Sequence, residues 1–360
     1  MSYDSILTDL LGVHVALRNC LKHYLSQEGK QQLKLVREFI QNSSIKRIIF
    51  IGHSYNYFAS MIPFRYLNSR YQSQVVDSRK ICIRYEIDEF LSYFNPRRSD
   101  SETLFIFISR SGESTQILQG IKKLKGIIKN ENIWGVTNNL ESYLGKNCHY
   151  TFPIISEIEE LMGTGTTVNT MFVLYILSRS LNGQEGIPPN REDQIRNLIF
   201  EMKFYSDDWE RHTKNLMDFL GKDFNYLYFI STGASLSTAQ QASLYCKAFA
   251  RTYGEAISLG LFLHGPFQII DETFRCVLII GDETSLDDVL RLINLITERL
   301  GSGKVVLINN SRRLSSLGRA NEHVFVFEHA TENSSLAPLF EIIVLQYLFL
   351  HRAKQLGVIE

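Results

Sequence analysis

The chain has 360 residues, enough for about two domains with sizeable cores. Hydrophobic residues make up 44% and charged residues 21%, the balance of an ordinary globular protein. Acidic and basic side chains number 38 each, so no net field draws the chain to nucleic acid or to an anionic membrane; an anion site must then be built from hydrogen bonds and helix ends.

Cys20, Cys82, Cys148, Cys246 and Cys276 are scattered singly. That pattern fits a reducing compartment and offers neither a disulfide framework nor metal-ligand spacing. Met1–Leu10 carries Asp4 and Asp9 and has no apolar stretch of signal-peptide length. The longest apolar runs, such as Leu104–Ile108, are strand-sized and far short of a membrane span. The expectation is a cytoplasmic protein with no metal, no cofactor, and no nucleic-acid or membrane partner.

Helical patterning covers roughly Leu7 to Ile40. Lys46–Ile51 is a continuous apolar run of strand length, followed by the polar turn Gly52-His53-Ser54-Tyr55-Asn56 and a helical stretch to about Asn68. Thr103–Ile108 is the next strand of buried type. It enters Ser109-Arg110-Ser111-Gly112-Glu113-Ser114, and a helix follows to about Lys129. Asn132–Thr137 and Cys148–Pro153 read as further strands, and a helix from Gly165 to Leu181 closes the unit. Continuous strands alternating with helices predict a doubly wound parallel sheet covered on both faces. Gly183–Arg191, with two prolines and two glycines, is the linker candidate.

The pattern then restarts. A helical segment runs to about Leu220. Tyr226–Ile230 reads as a strand, Ser231-Thr232-Gly233-Ala234-Ser235 as a turn, and Leu236–Tyr253 as a helix. Phe274–Ile280, Lys304–Ile308 and His323–Phe327 are further strands, before a last helix over Leu336–Gln355. Both halves share strand, Gly/Ser turn and helix in one order, which predicts a duplicated α/β unit. The expected boundaries are residues 1–185 and 186–360, with a parallel sheet of about five strands in each.

The stretch Thr103–Ser114 carries the most chemistry. A phosphate needs several donors converging on one point. A loop that leaves a parallel strand and opens a helix supplies backbone N–H groups and the positive end of the helix dipole. Ser109, Ser111 and Ser114 add hydroxyls, and Gly112 allows close backbone approach. The competing reading is a strand-to-helix turn with a serine cap. Ser54, in the turn after the preceding strand, is either a second-loop contact or a cap. Thr164 and Thr166, within Gly163–Thr167, face the same two readings. His264, ahead of Gly265-Pro266, lies in a non-helical turn and is the leading acid/base candidate among nine histidines; the alternative is a capping or core histidine.

Together these residues resemble the sugar isomerase (SIS) domain family, whose members include the isomerase half of glucosamine-6-phosphate synthase and the fructosamine-6-phosphate deglycases. The resemblance spans nearly the whole chain as two SIS domains in tandem. Ser109–Ser114 looks like the family's S-x-S-G-[ED]-[ST] phosphate loop, Gly52–Asn56 like its first-strand loop, and Gly163–Thr167 like the segment that approaches the sugar. In the second half, Ser231-Thr232-Gly233, Gly254-Glu255-Ala256 and Leu263–Pro266 look like further family turns. The resemblance implies a sugar-phosphate ligand held by Ser54, Ser109, Arg110, Ser111 and Ser114, with Thr164 and Thr166 near the sugar. It also implies that His264 acts in ring opening from a partner subunit, hence a homodimer with one site per subunit. The place matching the serine loop in the second half, Gly281-Asp282-Glu283-Thr284, carries two carboxylates and would repel phosphate.

The departures bear on catalysis. The family's proton-moving glutamate lies sixteen residues before that histidine, where this chain has Ala248; Tyr245 and Leu261 stand at two other matched positions. The sequence ends at Glu360, and the tail lysine of the synthase is not expected. Candidate substitute bases are Glu255, Glu113 and His264, with a structural role favoured for Glu255. Two functions follow: a phosphosugar isomerase or deglycase-type enzyme, and a non-catalytic sugar-phosphate sensor.

Overall fold

Ten strands form two five-stranded sheets in the computed structural model, which describes residues 2–69, 80–157, 159, 163–221, 224–282, 285–299 and 303–359. The first sheet holds β1 (Arg47–Gly52), β2 (Ile81–Glu86), β3 (Thr103–Ile108), β4 (Ile133–Thr137) and β5 (Thr151–Pro153), in the order β2-β1-β3-β4-β5. The second holds β6 (Tyr226–Ser231), β7 (Tyr253–Ser258), β8 (Arg275–Ile280), β9 (Lys304–Asn309) and β10 (Val324–Glu328), in the order β10-β9-β8-β6-β7. Every pairing is parallel. Read from its β7 edge, the second sheet repeats the first: second strand, first, third, fourth, fifth.

The doubly wound α/β class expected from the sequence is the observed one. Six consecutive buried residues make up β3, and β1, β8 and β9 are buried after their first residue. Apolar runs of that kind suit strands covered by helices on both faces.

Two strands were not anticipated, β2 and β7. Both lie on sheet edges, and both run from an exposed residue through a buried one to half-buried positions. Edge strands see water, so Arg84 is tolerated in β2 and Glu255 in β7, and the apolar signal is diluted. The helix expected to reach Tyr253 therefore stops at Ala248. The amino-terminal helical stretch is three helices, Tyr3–Leu11, Val13–Leu25 and Gln27–Asn42. The helix after the serine loop ends at Leu124.

The chain divides into two compact units, each enclosing one sheet: Val15–Ile158 with Gly165–Asp193, and Met1–His14 with Glu159–Thr164 and Gln194–Glu360. In the unit of the first sheet, the helix Gly165–Leu181 is buried along its whole length. On that sheet, Phe90, Phe105 and Phe107 are fully buried; Phe94 stacks on Phe90 at 5.0 Å, and Phe107 meets it edge-on at 5.9 Å. In the unit of the second sheet, the helix Tyr3–Leu11 packs against Ala337–Gln355, with Lys354 Nζ 3.8 Å from the centre of the Tyr3 ring. Among the described residues no helix is long and apolar enough to cross a membrane.

Phe90 joins the helix Ile87–Tyr93 to β3 through three other rings, and the site described below lies at the carboxyl ends of these strands. Phe90→Ala should cost about 3–5 kcal/mol of stability, read as a lower midpoint in urea at unchanged slope.

Candidate functional site

In a doubly wound sheet the helices after the first and third strands leave on opposite faces, and a crevice opens between the two strand ends. Here those strands are β1 and β3. Gly52, the last residue of β1, pairs with Glu86 on one side and Ile108 on the other. The crevice is therefore edged by His53-Ser54 after β1 and by the serine loop after β3. Gly52 is required where it stands: a Cβ would come 2.9 Å from the Tyr57 nitrogen, in backbone that cannot yield. Ser54 takes the unusual φ of 54°, and its hydroxyl caps nothing, although it sits ahead of the helix Tyr55–Ala59.

The serine loop is fixed by its carbonyls. Arg110 O accepts from Asn138 N and Thr137 Oγ1, both at 3.0 Å, and Gly112 O accepts from Leu144 N at 3.1 Å. Ser109, almost fully buried, accepts from Gly112 N at 3.2 Å. Ser111 accepts from Glu113 N at 3.3 Å, and Ser114 caps the helix Thr115–Leu124 through Ile117 N at 3.3 Å. Cap and phosphate readings thus coexist, because a capping serine oxygen accepts from the helix and its O–H can still donate outward. Among the described residues the backbone N–H groups of Arg110, Ser111 and Ser114 make no hydrogen bond. The loop consequently presents donors, a half-buried Arg110 and a helix amino terminus, which is the chemistry of an anion cradle. Gly112 holds φ at +67°, and a Cβ there would fall 2.0 Å from Ser142 Oγ.

The other sequence-selected residues are dispersed. Thr166 is fully buried and donates to Ser156 Oγ at 2.9 Å. Thr164 is fully buried in the other unit and donates to Glu159 at 2.9 Å. His264 is exposed at the end of the helix Leu259–Leu263, before Gly265 at φ 145°. Glu255 lies inside β7 opposite Tyr228; burial and this carboxylate push the tyrosine up to about 12. Ala248 is exposed at the end of its helix. Of the second-half loop, Glu283 and Thr284 lie outside the described residues.

Sequence reading missed the group next to Ser54. His53 Nδ1 lies 2.6 Å from Glu86 Oε1, and Glu86 Oε2 accepts from Asp88 N at 2.8 Å. The signal was withheld because β2 itself went unrecognised. Ligand atoms of His53, Glu86 and Asp88 fall within 4.8 Å of one another, a set that could hold a metal ion.

A second polar cluster, equally unforeseen, occupies the matching crevice of the second sheet. Glu341, fully buried on the helix Ala337–Gln355, accepts from Ser235 Oγ at 2.7 Å and Thr238 Oγ1 at 2.9 Å. Burial pushes its carboxyl up to about 7; the two hydroxyls lower it and Asp282 raises it. His329 Nε2 is 3.9 Å from Glu341, but burial lowers that imidazole to about 4, so at neutral pH the pair is not ionic. A lone Glu in an apolar helix carries no pattern that marks it beforehand.

Comparison with known proteins bears on the fold. Residues 43–178 match the SIS domain family, a span that holds the whole first sheet and its serine loop. That segment carries the likeness to SIS domains. The chain is similar to glutamine–fructose-6-phosphate aminotransferase [isomerizing] of Sulfurisphaera tokodaii, 26% identical over 69% of this chain and 39% of the relative. It is likewise similar to the enzyme of that name from Pyrococcus horikoshii, 23% identical over 95% of this chain and 56% of the relative. The chain thus spans little more than half, at most, of these curated relatives. Among solved structures, the C-terminal domain of glucosamine-fructose-6-phosphate aminotransferase from Francisella tularensis superposes with a TM-score of 0.76 at 19% identity, covering 98% of this chain and 96% of that one. The shared fold is two parallel five-stranded sheets.

Two outcomes are expected. Gly112→Ala forces a side chain into a left-handed turn and onto Ser142, so it should lower thermal stability and abolish any anion protection of the loop, measured by thermal shift with inorganic phosphate. Glu341 is protonated more readily folded than unfolded, so its contribution to stability is present below pH ~4.5 and is lost as pH rises to about 7. His329 works oppositely, its contribution being lost as pH falls from 6.5 toward about 4. Glu341→Gln should therefore gain on the wild type by about 2–3 kcal/mol between pH 4.5 and 7.5 in chemical denaturation.

Proposed function

We propose that this chain binds a hexose or amino-sugar phosphate on loop 109–114 and acts on it as a phosphosugar isomerase or deglycase-type enzyme. The observation that carries the reading is the serine loop at the switch point of the first sheet, with three backbone donors left unspent. Ser54, Ser109, Arg110, Ser111 and Ser114 hold the phosphate in this reading. Thr166, whose hydroxyl is already committed to Ser156, shapes the wall beside the sugar, and Thr164 the connected segment. The relatives' names join fructose 6-phosphate with an isomerising activity, which supports the substrate class.

His264 opens the sugar ring from a second copy of the chain, so the working form is a cytoplasmic homodimer that needs no cofactor. Exposure of His264 on a turn held by Gly265 and Pro266 is compatible with that role. Glu255, opposite Tyr228 within β7, has a structural role in this reading. A second reading, a sugar-phosphate sensor without turnover, is favoured by one observation: Ala248 offers no base where the family has its glutamate.

Calorimetry separates the ligand classes. Glucose, fructose and glucosamine 6-phosphates should bind, and their unphosphorylated sugars should not. Ser111→Ala should weaken binding about tenfold, the loss of one hydrogen bond to a charged group. Equal affinity for phosphorylated and free sugars would remove the phosphate reading. Exchange of the carbon-bound hydrogen beside the carbonyl in deuterated water, slowed by His264→Ala, supports the enzyme; tight binding with no exchange supports the sensor.

A further inference from the structure

We propose that His53 and Glu86 form a proton-transfer dyad for the sugar phosphate held on the neighbouring serine loop, with His53 as the base and Glu86 as its positioning residue. The inference rests on the reading of that loop as a phosphate site and names the group that replaces the missing glutamate.

Isomerisation needs a base that is exposed to the crevice, held in one orientation and not consumed by the fold. The candidates raised by the sequence meet these conditions poorly. Glu255 lies within an edge strand, opposite Tyr228. Glu113 spends Oε1 on the Tyr143 nitrogen at 2.9 Å. His264 is already assigned to ring opening in that reading. His53 meets all three conditions. It directly follows β1 at the switch point, one residue beyond the Gly52 that pairs with the last residue of β3. Its side chain is 58% exposed, whereas that of Glu86 is 27% exposed.

The pairing also settles which nitrogen can act. Glu86 is held at both oxygens, Oε1 by His53 Nδ1 at 2.6 Å and Oε2 by Asp88 N at 2.8 Å. An ionised carboxylate only accepts, so Nδ1 carries the hydrogen that faces Glu86, and Nε2 is the nitrogen available for chemistry. The helix Ile87–Tyr93 fixes the carboxylate, the carboxylate fixes the ring through Nδ1, and Nε2 is not engaged by Glu86. An exposed His–Glu pair contributes little to stability.

The step balances. In the open-chain aldose phosphate, Nε2 takes the hydrogen of C2 as a proton. The C–H electron pair becomes the C1–C2 double bond, and the carbonyl π pair moves to O1. Glu86 faces the resulting imidazolium. The proton on O2 transfers to O1, the enediol pair returns to C1, which takes the proton back from Nε2, and C2 becomes the carbonyl. No oxidant, reductant or net proton is required.

The experiment uses the full chain, with glucose and fructose 6-phosphates as probes. Binding is followed by calorimetry, hydrogen exchange beside the carbonyl by proton NMR in deuterated water, and the His53 tautomer by ¹⁵N NMR. His53→Gln should slow exchange about 10²-fold or more while affinity changes by less than about threefold. Glu86→Gln should slow it about tenfold and convert the Nδ1–H tautomer signal to a mixture. Wild-type exchange in His53→Gln with binding intact overturns the dyad and leaves the phosphate reading standing, as does a bound ligand that never exchanges. Loss of exchange on adding a chelator also overturns it, in favour of a metal on His53, Glu86 and Asp88. No binding of either phosphate to the wild type removes the phosphate reading and the dyad with it.

Discussion

Both sheets obey one constraint. The first strand of each unit is flanked by the second and third, and the connecting helices leave on opposite faces. Loops at such a point diverge, so their backbone N–H groups cannot all be satisfied by the sheet or by each other. An unpaired buried donor costs about 1–3 kcal/mol, so whatever fills the crevice is selected by that demand. The remainder of each unit, apolar strands between covering helices, keeps those strand ends in place.

The two crevices meet the demand differently. In the first, Thr137, Asn138 and Leu144 hold loop carbonyls from behind, so that donors face outward. In the second, the protein supplies its own acceptor: Glu341 takes the hydroxyls of Ser235 and Thr238 from within the core. Small residues make the closure possible. A Cβ on Gly281 would sit 2.5 Å from Ser235 Oγ and 3.1 Å from Glu341 Oε1. An occupant is built into one copy of the fold; in the other, the proposed phosphate would take that place. A carboxyl that titrates near neutrality is the consequence of burying an acceptor that only hydroxyls balance.

Legibility in the sequence followed burial. Strands covered on both faces announced themselves as apolar runs, and the turn after each was visible as a cluster of Gly and Ser. β2 and β7 were silent because an edge strand has one wet side and needs no continuous apolar pattern. That silence hid Glu86 and its partner, since His53 alone looks like a turn residue and gains meaning only from a neighbour 33 positions away. Glu341 was hidden for the opposite reason: it stands among apolar residues and meets its partners more than a hundred positions distant. The serine loop stood out because its hydroxyls and glycine are adjacent in sequence, although the residues that brace it follow β4.

In the proposed reading, binding and turnover fall to different elements. The loop draws its donors from the end of β3 and is braced by residues that follow β4, none of which needs to move a proton. The dyad draws on β1 and β2, and its geometry depends on a carboxylate fixed by a helix amide. Ala248 ends a helix and belongs to neither set. Affinity for a phosphate can therefore persist unchanged while the base is relocated, and the natural place to relocate it is the adjoining strand end, where one histidine needs only one anchored carboxylate to be held in the orientation that the chemistry requires.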